Sequence, residues 1–558
     1  MNKMPLFWRS VVCLLALFLA AFLYAPVVFM LKEAFTAQGN ISLAYFGILF
    51  RNSMMIASIG NSLLLGCVVT LICLALSLPI AWFATRYRFR GQWLINALIM
   101  VPMVLPPFVG AIGMKQFLSR FGTLNLVLMK LGVVSAPVDW LGSGFWGVVV
   151  LEVLHLFPII YLNMSASLAN IDPSLEEAAW NLGSRRFPFI RKILLPLAMP
   201  GIFAGAAIVF IWSVTDLGTP LILEYRGVVA YQIYVMINDI HSNPMGYALV
   251  VLLLVWIGLI YYTSKQFFNS RQAYMANKAV RLAQRPAPAA WYKTVMFAYC
   301  AVIGVFAIMP HCMVILTSVA GRWFMTVLPE QFTLQYYQTV LTHPLSVISV
   351  RNSIFLSSVS TTLDIAVGVL AAFIIARMKF RGRALLDFSV MLPLAMPGLI
   401  LAFGYVGMFA GTWLDPRGNP FPLLVIAYAV RRLPFMVRSV DAGLRQIDPS
   451  MEEASLNLGA SPLRTLWKVT LPLVSTNVIA GGLLVFTFAV LEVSDSLILA
   501  MKENYYPVTK AIYALVSRIA DGMPVGSALG VFAMLLLAGG MFITGKILGR
   551  KMGELFRM

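Results

Sequence analysis

Charge is what this chain has least of. Charged side chains make up 11% of its 558 residues, against about a quarter in a soluble domain, and that shortage excludes a surface that faces water on all sides. Histidine is rarer still, with 4 copies, and cysteine is sparse, with 5. Cys13, Cys67, Cys73, Cys300 and Cys312 all fall inside apolar segments, with no CxxC spacing and no clustered histidines. That pattern excludes a disulfide framework and a thiolate metal cluster, leaving five small buried hydrophobes. No metal site is assigned, and no paired nucleophile and base or sensor domain supports a membrane enzyme or a receptor. A motif for ATP hydrolysis is lacking too. The formal match to a phosphate-binding loop at Gly540 and Gly545-Lys546 has Ile547 where magnesium needs a serine or threonine, and no strand precedes it. The chain is therefore not expected to be an enzyme or to hold a cofactor of its own.

What is there is apolar: 60% of the residues are hydrophobic, and mean hydropathy is +0.86. A helix needs about 20 apolar residues to cross a bilayer core, and a scan at that length gives about twelve spans. In the first half they lie near 11–31, 59–83, 94–114, 145–165, 200–222 and 246–264; in the second, near 294–317, 352–376, 385–409, 420–437, 476–500 and 527–548. Pro158 and Pro434 are expected to interrupt the fourth and tenth. The run Val11 to Leu31 exceeds the roughly 7–15 residues of a signal-peptide core, so it reads as an uncleaved first span. The expected fold class is an all-α polytopic membrane protein.

The net charge of +19 does not point to nucleic acid, because the basic residues are scattered between apolar runs and do not form one patch with interleaved aromatics. Their placement is topological. With the N-terminus inside, the N-terminal segment with Lys3 and Arg9, Arg86 to Arg90, Arg185 to Lys192, Lys265 to Lys293, Arg377 to Arg383, Arg431 to Lys468, and Lys546 to the end all become cytoplasmic. These hold about 29 of the 41 basic residues, as the positive-inside rule requires. Both termini are expected in the cytoplasm.

The two halves repeat each other. Asn61-Ser62-Leu63, Arg86, Phe89-Arg90-Gly91, Pro102 and Pro106 recur at one fixed offset as Asn352-Ser353-Ile354, Arg377, Phe380-Arg381-Gly382, Pro393 and Pro397. Asp172-Pro173-Ser174-Leu175-Glu176-Glu177-Ala178-Ala179 recurs at a smaller offset as Asp448-Pro449-Ser450-Met451-Glu452-Glu453-Ala454-Ser455. The change of offset places an extra external loop within 115–144. An even number of spans, about six per half, makes this a parallel repeat. The expected domains are 1–268 and 294–558, joined by a basic, Ala/Pro-containing cytoplasmic linker at 269–293.

The most informative stretch runs from Asp172 to Pro196, between the fourth and fifth spans. Asp172 can cap a helix, Pro173 suits its first position, and Glu176 and Glu177 favour its positive end. Gly183 stops or bends that helix, and a second amphipathic segment, Phe187 to Leu195, leads to Pro196. The second copy, Asp448 to Pro472, keeps Glu452, Glu453, Ala454, Gly459, Leu471 and Pro472 in register. This resembles the EAA loop of ABC importer permeases: a Glu-Ala-Ala triplet, a glycine a few residues on, and a Leu-Pro ending. The triplet is Glu177-Ala178-Ala179 in one half and Glu453-Ala454-Ser455 in the other, with Ser455 a small departure. The resemblance covers nearly the whole chain, and its fused layout is most like that of the iron(III) and phosphonate permeases, with Asp216-Leu217-Gly218-Thr219-Pro220 and Arg431-Arg432-Leu433-Pro434 as weaker signals.

The resemblance implies two ABC ATPase subunits, which bind the ATP and magnesium, each docked on one loop, and an extracytoplasmic substrate-binding protein. It also implies alternating access by rigid-body motion in a bacterial-type inner membrane. Ionisable groups inside spans are costly and usually face the interior. The repeat places Asp216 opposite Glu492 and Thr219 opposite Asp495, with His155 aligned to Arg431 near Glu152 and Arg432. These either line a shared translocation site, whose hard oxygens would suit ferric iron, or pair with backbone and basic groups for structural reasons. The proline turns at 102–107 and 393–398 either line a cavity or kink the third and ninth spans. Iron(III) is the expected cargo, with an organophosphonate such as 2-aminoethylphosphonate, or thiamine, as alternatives. A secondary transporter would share the spans but would need neither loop nor ATPase.

Overall fold

A chain this apolar must close its backbone hydrogen bonds within each segment, and in a bilayer the helix does so. The computed structural model describes residues 5–548 apart from 88–90, 105, 142–143, 170, 172–177, 180, 185, 241–242, 270–288 and 519–521. Among these residues the only strands are two short hairpins, Thr36–Ala37 with Asn40–Ile41 and Ala320–Arg322 with Gln331–Phe332. They follow the first and seventh spans, so they repeat with the halves.

Among the described residues 8 helices are long and apolar enough to cross a membrane, or up to 11 if each bent pair is one span. The ninth span is such a pair, Arg383–Ala395 and Gly398–Met408, bent by 102° where Pro397 withholds its N–H. The eleventh bends by 79° between Pro462–Leu473 and Ser475–Val490. The tenth span forms the helix Phe421–Leu444 but contains Arg431, Arg432, Arg438 and Asp441, which keep it below the apolar threshold and the total below the expected twelve.

Two expected interruptions do not occur. Phe145–Ala169 runs through Pro158, and Phe421–Leu444 runs through Pro434. One missing N–H frees one carbonyl, and a membrane helix tolerates that when neighbours supply other bonds. Cys73 Sγ and Ser77 Oγ of the second span, Ser53–Arg86, donate to the carbonyls of Val153 and Phe157 at 3.7 and 2.7 Å and tie that span to the fourth beside the proline.

Proline leaves a different mark elsewhere. Five-residue π-helical turns at Ala20–Tyr24, Ile190–Leu194 and Leu466–Thr470 each precede an X-Pro pair, Ala25-Pro26, Leu195-Pro196 and Leu471-Pro472. The proline ring would strike the carbonyl four residues back, and a wider turn moves that carbonyl aside. The expected insertion within 115–144 contains the helix Thr123–Lys130. The buried Asn125 ties it down, donating to the carbonyls of Ser119, Arg120 and Val138 and accepting from Val138 N and Trp140 Nε1.

Two compact units emerge, and they do not follow the repeat boundary. One consists of 48–232 and 251–334; the other consists of 1–47, 233–250 and 335–555. The first span therefore belongs with the second half. Trp8 stacks on Phe373 at 4.9 Å, and Tyr24 Oη and Ser389 Oγ are 2.7 Å apart. The seventh span, Ala290–Ser318, belongs with the first half, and Gly113 lets Pro107–Leu118 approach the carbonyl of Pro310 where a Cβ would collide with it. The stretch 270–288, most of the expected linker, lies outside the described residues.

Candidate functional site

Asp448 opens the second loop, where its carboxylate accepts from Ser450 N at 2.9 Å and starts the helix Ser450–Asn457. Gly459 ends that helix with φ +84°, a left-handed conformation that a side chain resists, while Ala460 N donates back to the carbonyl of Ser455. Ser461 then caps Pro462–Thr465 by accepting from Arg464 N, and the π-helical turn delivers the chain to Leu471-Pro472. Ser455, at the third position of the triplet, places its hydroxyl 2.9 Å from Thr465 Oγ1 and joins the loop's two helical pieces. Ala454 and Glu453 lie on the exposed side, with Leu458 89% exposed beside them.

Glu452 faces the other way. It is buried and pairs with Arg377 Nε at 3.1 Å, and it accepts from Thr470 Oγ1 at 3.3 Å. Arg377 ends the eighth span, Pro344–Arg377, and its Nη2 also donates to the carbonyls of Leu444 and Ile447 at 2.9 and 3.0 Å.

The first loop matches where it is described. Gly183 has φ +77°, Ser184 N donates to the carbonyl of Ala179 at 3.0 Å, and Leu182 N to that of Ala178 at 3.0 Å. Leu182 is 88% exposed, the counterpart of Leu458. Pro196 follows its π-helical turn as Pro472 does. Asp172, Glu176 and Glu177 lie outside the described residues.

The intramembrane candidates are divided between the two compact units. In the unit of the second half, Glu492 pairs with both Arg431 and Arg432, and Arg431 Nη1 also reaches Asp495 Oδ2 at 3.3 Å. The carboxylates are sealed, with Glu492 3% and Asp495 0% exposed, and the arginine side chains are little exposed, at 18% and 15%. Gly398 makes room, since a Cβ there would collide with the Arg431 guanidinium. The carbonyl of Glu492 accepts from Ser496 Oγ and Thr509 Oγ1 at 2.5 and 2.7 Å.

In the unit of the first half, Asp216 ends the helix Leu195–Thr215 and caps the next turn, Gly218–Ile222, by accepting from Gly218 N at 3.3 Å and Thr219 N at 3.1 Å. Thr219 is buried there. His155 Nδ1 lies 2.8 Å from the carbonyl of Pro102, and the buried Glu152 accepts from Ser213 Oγ. Positions that align in the repeat thus have different partners: backbone for Asp216 and His155, opposite charges for Glu492 and Arg431. Among the described residues no group of three or more His, Cys, Asp or Glu is placed to hold a metal ion. The Gly540 to Lys546 stretch lies within the helix Gly522–Leu548, not in a loop between strand and helix.

Sequence reasoning did not single out Arg377 as the partner of Glu452 or Arg432 as a partner of Glu492. The repeat of Arg86 as Arg377 was the available signal for the first, and the Arg431-Arg432 pair inside an apolar run was the signal for the second.

Comparison with known proteins adds the following. The model of a family described as binding-protein-dependent transport system inner membrane component matches residues 76–274 and again 365–554. The ferric transport system permease protein FbpB of Actinobacillus pleuropneumoniae is 27% identical over 476 residues, 83% of this chain and 67% of that protein. The molybdate/tungstate transport system permease protein WtpB of Pyrococcus furiosus is 32% identical over 193 residues, 34% of this chain and 73% of its own. The spermidine/putrescine transport system permease protein PotB of Escherichia coli is 29% identical over 219 residues, 38% of this chain and 78% of its own.

Proposed function

The chain belongs to the family of binding-protein-dependent transport system inner membrane components, which it matches twice, and we propose that it is the fused permease through which an ABC importer brings ferric iron across a bacterial inner membrane. The observation that carries the transport reading is the pair of matched loops, each with a left-handed glycine and an exposed leucine just before it. Such a knob on a short capped helix suits the groove of a separate ATPase subunit, one per loop, and the chain supplies no nucleotide site in its place. An extracytoplasmic binding protein delivers the cargo from the opposite face, and both termini stay in the cytoplasm. ATP binding and hydrolysis move the loops, and the loops move the spans they join.

Ferric iron rests on the ferric permease relative, which aligns with 83% of the chain, whereas the molybdate and polyamine relatives each align with little more than a third. One observation favours an organophosphonate as the second reading. Arg431 and Arg432 lie side by side within the spans and both pair with Glu492, and a pair of guanidiniums suits the oxygens of a phosphonate. Proteoliposomes holding this chain, its ATPase and its binding protein, loaded with ATP, separate the two. ATP-dependent uptake of radioactive ferric iron supports the first reading, and uptake of 2-aminoethylphosphonate without iron replaces it with the second.

A further inference from the structure

The loop helix Ser450–Asn457 turns most of its surface outward, and Met451, Glu453, Leu456 and, just beyond its end, Leu458 are exposed. Its one buried charged group is Glu452, in the first turn. The partners of Glu452 lie on membrane helices: Arg377 at the last residue of the eighth span, and Thr470 in the π-helical turn that opens the eleventh. Arg377 reaches further and donates to the carbonyls of Leu444 and Ile447, at the end of the tenth span. Leu444 is the last residue of that helix, whose carbonyl has no partner within it, and Ile447 lies three residues beyond; a guanidinium suits the negative end of the helix.

One planar cation therefore ties together the ends of two spans and the loop helix, and one carboxylate adds the base of a third span. A fork of donors in fixed geometry can do this where a flexible ammonium cannot. The pair is largely screened from water, with the Arg377 side chain 14% and the Glu452 side chain 8% exposed, so it is not the weak, salt-screened kind of surface pair.

We propose that Arg377 and Glu452 form a transmission latch that makes the second loop helix move as one body with the eighth, tenth and eleventh spans, converting ATP hydrolysis in the partner subunit into movement of those spans. The latch rests on the importer reading above, and it separates two tasks within one loop. The outward residues bind the ATPase, and the inward pair passes on the motion. Both residues are positioning residues. The first half carries the same residue types at the repeated positions: Arg86 is the last residue of its second span and is buried, and Glu176 lies outside the described residues.

The test uses the complete complex in proteoliposomes, with Arg377→Ala, Arg377→Lys and the near-isosteric Glu452→Gln. ATPase recovered with the purified chain measures docking, and radioactive ferric iron taken up per ATP hydrolysed measures transmission. Arg377→Ala and Glu452→Gln are expected to retain the ATPase while iron per ATP falls about ten-fold. Arg377→Lys, which keeps the charge but cannot span the carboxylate and both carbonyls, should fall between them and wild type. An unchanged ratio in Arg377→Ala and Glu452→Gln would overturn the latch. So would a loss of bound ATPase in step with the ratio, or failure of all three variants to assemble, since each makes the pair a docking or folding element. Wild-type vesicles that hydrolyse ATP without taking up iron would instead count against the cargo reading alone.

Discussion

Gly459 and Gly183 hold φ angles of +84° and +77°, and open space surrounds the position of a Cβ at each. The obstacle to a side chain there is backbone strain, about 1–2 kcal/mol for an ordinary residue in the left-handed region, without any steric clash. Gly459→Val should therefore leave the spans intact, turn the exposed Leu458 away from its direction and reduce ATPase recovered in pull-down several-fold. Combined with Gly183→Val it should reduce recovery further. Asp448 offers a pH test at the other end of the helix. The Ser450 N–H, followed by the Ser450 hydroxyl, favours its charged form and holds its carboxyl below the usual aspartate range. A depressed folded value means the stabilisation is fully present above the ordinary aspartate pKa of about 4 and is lost as pH falls through the folded value. The hydrogen-exchange protection factors of the 450–457 amides, with the intrinsic pH dependence of exchange divided out, should accordingly be constant at neutral pH, drop only in acid, and show no such acid step in Asp448→Asn. The glycines were legible in the sequence because a stop between two amphipathic runs calls for a left-handed residue. Arg377 was not, because an arginine at the end of a span is already accounted for by membrane topology.

At the scale of elements, the cluster on the tenth and eleventh spans shows what the sequence could and could not say. The pattern identified Glu492, Asp495 and Arg431 as costly intramembrane charges, and the structure brings those three together with Arg432. Alignment across the repeat also paired Asp216 with Glu492, and within its own unit Asp216 caps a helix turn. A repeat transmits backbone position, while the partner of a charge depends on side chains the halves do not share, such as Arg431 against His155. Removing Glu492 leaves Asp495 as the one carboxylate beside two buried arginines, so Glu492→Leu should destabilise by about 3–5 kcal/mol. Arg432→Met, which leaves Arg431 to balance Glu492, should cost less, and the double variant should recover part of the loss. Thermal unfolding in detergent reads all three. Most span boundaries were legible from apolar run length. The continuity of the helices through Pro158 and Pro434 was not, because a membrane helix can carry a single proline unbroken and the residue type alone does not say where it breaks.

For the whole molecule, the parallel repeat and the paired loops were legible as recurring sequence, while the short hairpin after each half's first span was not. Nor was the composition of the compact units. That the first span joins the second half, and the seventh the first, follows from contacts such as Trp8 on Phe373 and Gly113 beneath Pro310, which no periodicity encodes. The claim on which the rest depends is that separate ATPase subunits drive this chain through its two loops. The measurement is ferric iron uptake into proteoliposomes containing the chain, its ATPase and its binding protein, with and without internal ATP, for wild type and the Gly183→Val/Gly459→Val double variant. The account predicts uptake only with ATP in wild type, and loss of both uptake and bound ATPase in the double variant. Uptake that persists without ATP, or that survives in the double variant after its ATPase has dissociated, would contradict it.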